Sequence, residues 1–201
     1  MTAVAGVVLA AGGSRRMGHP KQLLPLGGRP LLQHALDAAA ASGLGEIVLV
    51  LGHEAEAIRR AVALPARARV VVNSAWADGQ GGSLARGLAA IGRDAPAAAV
   101  LLGDQPDVDA DLIDRVVAAF RGDRDTALRP VWRDSEGAAH PGHPVVLARR
   151  SWAEIATLDG DRGARELFRR HPDWVRELPL AGTPPSDIDD AADYRRVSSG
   201  G

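Results

Sequence analysis

The chain has 201 residues, with 24 Lys and Arg against 25 Asp and Glu, six His and no Cys. That length suits a single domain that buries roughly 70% of the surface its unfolded chain exposes, and the lack of cysteine excludes disulfide scaffolds, thiolate metal sites and cysteine nucleophiles. A net charge of -1 supplies no global field for nucleic acid or an anionic membrane, and no apolar run reaches the roughly 20 residues of a membrane span.

The first predicted element is a buried strand over residues 4–10 with Val4, Val7, Val8 and Leu9, a short apolar run ended by glycine. It leads into Gly12 and Gly13 rather than a signal-peptide cleavage pattern, so a cytoplasmic protein is expected. A helix follows over residues 30–42, with Leu31, Leu32, Ala35, Leu36 and Ala39 on one face and Gly43 as its stop. Further along, the patterning predicts strand 47–51, helix 54–62, strand 70–72, helix 82–91, strand 97–102 and helix 110–120. This is a βα rhythm repeated four times, which calls for right-handed crossovers and a mainly parallel sheet covered on both faces. Beyond residue 121 the rhythm loosens. Strands are predicted over 126–132 and 144–147 with a polar connector over 133–142, then a helix over 162–170, a strand over 174–178 and a terminal helix over 188–197. The expectation is a three-layer α/β/α domain over residues 1–197 with a Rossmann-like sheet, and a frayed tail over 198–201.

The densest chemical signal is the loop after the first strand, Leu9-Ala10-Ala11-Gly12-Gly13-Ser14-Arg15-Arg16-Met17-Gly18-His19-Pro20-Lys21. Small residues at a strand's carboxyl end let backbone N–H groups converge on phosphate oxygens without obstruction by Cβ atoms. Two arginines and a lysine add charged donors. Two common phosphate loops do not fit. Gly13 and Gly18 have the spacing of a Walker A loop, but His19 and Pro20 stand where Lys and Ser or Thr are needed, and Gly-x-Gly-x-x-Gly is absent. Of the basic residues only Lys21 is lysine. In a chain that otherwise uses arginine for every cation, this marks a place for a compact, rotatable ammonium.

Asp104 follows an apolar strand directly, at the sheet edge where open α/β folds bind ligands. Mg2+ suits such a place, because it takes one or two protein carboxylates and completes its shell from phosphate and water. Asn73 ends the third strand with an amide able to read a base edge; alternatively Asn73 forms a turn and Ser83 caps a helix. A lone His143 at the start of a strand is compatible with an acceptor pocket or with a structural role, and the four tryptophans are scattered as core or rim residues.

Leu-Ala-Ala-Gly-x-Ser-x-Arg-Met-Gly-x-x-Lys resembles the signature of MobA-like nucleotidyltransferases, in the form of the molybdopterin cytidylyltransferase branch. The resemblance continues through Asn73 to Leu84, Gly103-Asp104-Gln105-Pro106, Pro141-Gly142-His143-Pro144-Val145, Gly160 to Arg165 and Asp187-Ile188-Asp189, and so covers nearly the whole chain in order. It implies a nucleotide-diphospho-sugar transferase type of fold. It implies nucleotide contacts from Leu9, Ala10, Ala11, Gly12, Gly13, Ser14, Arg16, Lys21, Asn73, Gly79 and Ser83. Acceptor contacts are implied for Gln105, Pro106, His143, Arg162 and Gly163. Asp104 and Asp189 are implied as ligands of Mg2+, with Arg16, Lys21 and Asp104 as catalytic groups. Asp190 stands where the family commonly has Thr, and Asp187 or Asp190 is an alternative helix cap.

The implied reaction is transfer of CMP from CTP to the phosphate of molybdopterin, with release of pyrophosphate and a transient contact with a molybdenum hydroxylase or its chaperone. Such chemistry needs no protein nucleophile, because the acceptor is already an anion and catalysis consists of positioning and charge neutralisation. A nucleotidyltransferase for a sugar or polyol phosphate would carry the same loop and aspartates. A non-catalytic cofactor-delivery protein would not need Arg16, Lys21, Asp104 and Asp189 together.

Overall fold

A computed structural model describes residues 3–14, 16–157 and 163–199. Strand β1 (Ala5–Ala10) is buried along its whole length, and the chain then passes through a long loop and a short 3-10 turn (Lys21–Leu23) into a hairpin of β2 (Pro25–Leu26) and β3 (Arg29–Pro30). Helix α1 (Leu31–Ala41), β4 (Ile47–Leu51), α2 (Ala55–Ala61), β5 (Ala68–Val72), α3 (Gln80–Ala90), β6 (Ala97–Leu102) and α4 (Ala110–Ala119) complete the βα rhythm. The second part adds β7 (Ala127–Arg133), β8 (Ala139–Pro141), β9 (Val145–Ala148), α5 (Trp152–Ile155), α6 (Gly163–Arg170), β10 (Val175–Pro179) and α7 (Ala191–Ser198).

Among the described residues eight strands form one sheet in the order β10-β7-β9-β6-β1-β4-β5, with β8 paired to β7. The pairs β6–β1, β1–β4, β4–β5 and β10–β7 are parallel, while β9 runs antiparallel between β6 and β7. Alternation along the strands divides the core in two. Val8, Leu49 and Leu51 face α1, α2 and α4 through Leu32, Leu36, Ile58, Ile113 and Val116. Val7, Val48 and Val50 face α3, α5 and α6 through Leu84, Leu88, Ile155 and Leu167. The three-layer fold is therefore present as expected.

Several boundaries differ. The segment expected as a plain connector over 133–142 contains β8, because Asp134 accepts from the N–H groups of Glu136 and Ala138 and folds the chain into a hairpin. The β2–β3 hairpin and α5 were not expected; each is too short to show a periodicity. Helix α3 begins at Gln80, so Ser83 lies within it and does not cap it. The terminal helix starts at Ala191, not at residue 188, because Asp190 accepts from the N–H groups of Ala192 and Asp193 while Asp193 accepts from those of Asp189 and Asp190, a closed capping box. Ser198 belongs to α7, and residues 200 and 201 lie outside the described residues. No helix among the described residues is long and apolar enough to cross a membrane.

Candidate functional site

Chain order changes direction at β1. From β1 the chain builds outward through β4 and β5, then returns to place β6 on the other side of β1. The loops after β1 and β6 therefore open apart at their carboxyl ends and leave a crevice. A cavity of about 410 Å³ occupies it. It is lined by the loop from Leu9 to Ser14, by Trp76, Gly79 and Ser83, and by Asp104 and Asp189 with Arg16 and Lys21.

Packing explains how the glycines serve this crevice. A Cβ on Gly103 would stand 2.7 Å from the Leu32 side chain and 3.1 Å from the Ala10 Cβ, so a side chain here would push on both as β6 leaves the sheet beside β1. Trp76 is half-buried against Gly13 and Gly52, where a Cβ would come within 2.7 and 2.5 Å of it, and His53 leans on its ring at 4.8 Å. Gly79 takes a φ of 124°, open to glycine alone, at the start of α3.

The charged centre joins three parts of the chain. The Lys21 ammonium lies 2.6 Å from Asp104 Oδ2 and 2.9 Å from Asp189 Oδ1, and the Arg16 guanidinium lies 3.7 Å from Asp189 Oδ2. Burial by itself disfavours the Lys21 charge, but the two carboxylates outweigh it and hold the lysine above its ordinary pKa. Asp189 is brought in by backbone: the N–H of Ile188 donates to the Asp104 carbonyl, and Ile188 is fully buried with Leu24 and Leu31, beside Tyr194 of α7. Tyr194 also donates its hydroxyl to the Pro25 carbonyl. Asp187 accepts from Gln105 Nε2 at 2.7 Å, and loss of solvation and the Asp104 charge raise its pKa. The three aspartates thus have separate surroundings: Asp187 is held by Gln105, Asp190 caps α7, and Asp189 faces Lys21 and Arg16.

Of the residues expected at a site, Leu9 to Ser14, Arg16, Lys21, Gly79, Ser83, Asp104 and Asp189 come together around the cavity. Asn73 does not line it. Its side chain is fully buried, donating to Ser83 Oγ at 2.9 Å and accepting from the Ala75 N–H, which is the turn-forming alternative. Gln105 is buried behind Asp187, Pro106 is half-buried in the following turn and His143 precedes β9, and none of these three lines the cavity; Gly163 begins α6. Arg15 and Arg162 lie outside the described residues. Sequence reasoning missed Gln22 and Gln80 and read Trp76 as generic core or rim, although all three line the cavity.

For a divalent cation the relevant groups are Asp104 and Asp189. Among the described residues no three His, Asp or Glu side chains group as a cation cage, which suits a metal that takes most of its ligands from phosphate and water. One Asp104 oxygen, Oδ1, is buried with no hydrogen-bond partner. An orphaned carboxylate oxygen next to a second carboxylate fits a hard cation.

Residues 6–175 match the family described as MobA-like NTP transferase domain. The nicotine blue oxidoreductase of Paenarthrobacter nicotinovorans is 37% identical over 178 residues, 87% of this chain and 85% of that protein. The structure of Rv0371c from Mycobacterium tuberculosis superposes with a TM-score of 0.84 at 37% identity over 98% of both chains. A second structure of that protein, in complex with manganese, gives 0.81 at 35% identity over the full length of both.

Proposed function

Because the chain belongs to the MobA-like NTP transferase family, we propose that it transfers CMP from CTP to the phosphate of molybdopterin or its molybdenum-loaded form and releases pyrophosphate. The observation that carries this reading is the convergence of Lys21, Arg16, Asp104 and Asp189 on one cavity lined by the glycine loop. The Leu9 to Ser14 loop would receive the triphosphate, and Gly79, Gln80 and Ser83, which also line the cavity, would receive the nucleoside. Asp104 and Asp189 would hold Mg2+, which when bound neutralises triphosphate charge and polarises the phosphoryl oxygens. A phosphate oxygen of the acceptor attacks the α-phosphorus, and the bond from that phosphorus to pyrophosphate breaks with the electron pair leaving on pyrophosphate. Lys21 donates to the charge that develops there, and Arg16, largely exposed at the mouth, attracts the anions as they enter.

The choice of CTP and molybdopterin rests on the sequence resemblance, with small Ala10 and Ala11 as the supporting feature. The test is pyrophosphate release from each of the four nucleoside triphosphates, with molybdopterin and separately with a panel of sugar phosphates. Release with CTP and molybdopterin is expected; a clear preference for GTP, or for a sugar phosphate, overturns the assignment.

One observation favours a second reading, redox chemistry in the same cavity: a 37% identical relative bears an oxidoreductase name. Against it, the first loop lacks the dinucleotide fingerprint. Consumption of a reduced nicotinamide nucleotide with nicotine blue as acceptor would support that reading instead.

A further inference from the structure

Gln22 follows the only lysine, is 3% exposed, and sits under the first loop. Its Nε2 donates to the carbonyls of Ala10 and Gly12, both at 3.0 Å, and its Oε1 lies 3.5 Å from the Ser14 hydroxyl. The same hydroxyl accepts the Lys21 N–H at 3.0 Å. One buried side chain thus touches alternate residues 10, 12 and 14 of the loop and, through Ser14, the backbone of Lys21. In a trans peptide the carbonyl of one residue and the N–H of the next point in opposite directions. Drawing the Ala10 and Gly12 carbonyls onto Gln22 therefore turns the N–H groups of Ala11 and Gly13 the other way. It also removes from the cavity two carbonyl oxygens that would repel a phosphate. Ser14 holds a φ of 48°, unusual for a residue with a side chain, so the loop's shape is imposed from outside, and Gln22 is the buried group in contact with it.

We propose that Gln22 is the positioning residue of the anion site: its amide holds the first loop in the form that accepts a polyphosphate. The proposal rests on the functional reading above only in taking this loop as the polyphosphate site, and its test uses inorganic triphosphate, a probe with neither base nor acceptor. Gln22→Leu keeps size and burial and removes both donated bonds, and Gln22→Met serves as the second variant if the first fails to fold.

Calorimetric titration of the full chain in the presence of Mn2+ should show triphosphate affinity reduced about tenfold or more in the variant. Affinity should fall less for CMP and hardly at all for cytidine, with a cooperative melting transition retained. A merely structural glutamine would weaken all three ligands alike, and that result overturns the proposal, as does unchanged triphosphate binding in a folded variant. Failure of the wild-type protein to bind triphosphate overturns both this proposal and the assignment of the loop. Graded loss of binding with no CMP transfer to molybdopterin leaves Gln22 as the positioning residue and overturns only the assigned reaction.

Discussion

Lys21 sits between two carboxylates, the same pair that would hold a divalent cation. A single ammonium therefore pairs with both Asp104 and Asp189, and it would compete with a metal for them. Lys21→Ala should lower kcat/KM for the transfer by about 2–4 kcal/mol, in the range of a lost transition-state donor. The same variant should bind Mn2+ more tightly than the parent when nucleotide is absent, measured by calorimetry, because the internal competitor is gone. Unchanged rate and unchanged metal affinity would mean that Lys21 is a structural ion-pair partner. Lys21 was legible in the sequence because every other cation is arginine, and Asp104 because an apolar strand delivers it to the sheet edge. Asp189 lies 168 positions from Lys21, and only the family resemblance pointed to it. Gln22 gave no signal: a glutamine between a lysine and two leucines reads as a solvated turn, and its burial arises from a loop fold that no local pattern encodes.

The terminal helix α7 is the element that delivers Asp189. It is short and has no buried residue of its own, so its start depends on the capping box and on Ile188 packing beneath the β2–β3 hairpin. Asp190→Ala removes the acceptor for two N–H groups and should cost about 1 kcal/mol of stability. The loss of activity should exceed what that stability change explains, because the freed end no longer holds Asp189 against Lys21. Chemical denaturation beside steady-state kinetics checks this; equal activity at full folding would show that Asp189 is held without the Asp190 cap. The strands and long helices were legible from apolar runs and periodicity. The helix start was not: Asp187, Asp189 and Asp190 are equivalent as letters, and only three-dimensional partners assign one to Gln105, one to Lys21 and one to the cap.

At the scale of the whole molecule, the far edge of the sheet is fastened by two ion pairs, Arg129 of β7 with Glu177 of β10 at 2.6 Å and Arg176 of β10 with Asp125, whose carboxylate is the more buried. Arg176 of β10 donates through Nε and Nη2 to the two oxygens of Asp125, at 2.8 and 2.7 Å, and Asp125 also accepts the Arg121 N–H. The Arg176 hydrogen bond, opposed by burial and aided by the Arg121 N–H, holds the Asp125 carboxyl below its ordinary value. A carboxyl depressed in the folded state contributes stability above the unfolded value of about 3.9 and loses it as pH falls through the folded value. Asp125→Asn should therefore be less stable than the parent at neutral pH, by about 2 kcal/mol, the scale of a charge-assisted hydrogen bond lost from a partly exposed pair. The difference should close as pH falls below about 4. A gap independent of pH would mean that shape, not charge, holds this edge.

The function proposed for the cavity between β1 and β6 is nucleotidyl transfer by way of Asp104 and Lys21. CTP labelled at the α-phosphorus, incubated with molybdopterin and Mg2+, measures this directly. The label should move to the pterin product with unlabelled pyrophosphate released, and Asp104→Asn should slow the transfer by about 100-fold or more, roughly 2.7 kcal/mol of transition-state stabilisation. Label that stays on the free nucleotide, or transfer undiminished in Asp104→Asn, would contradict it.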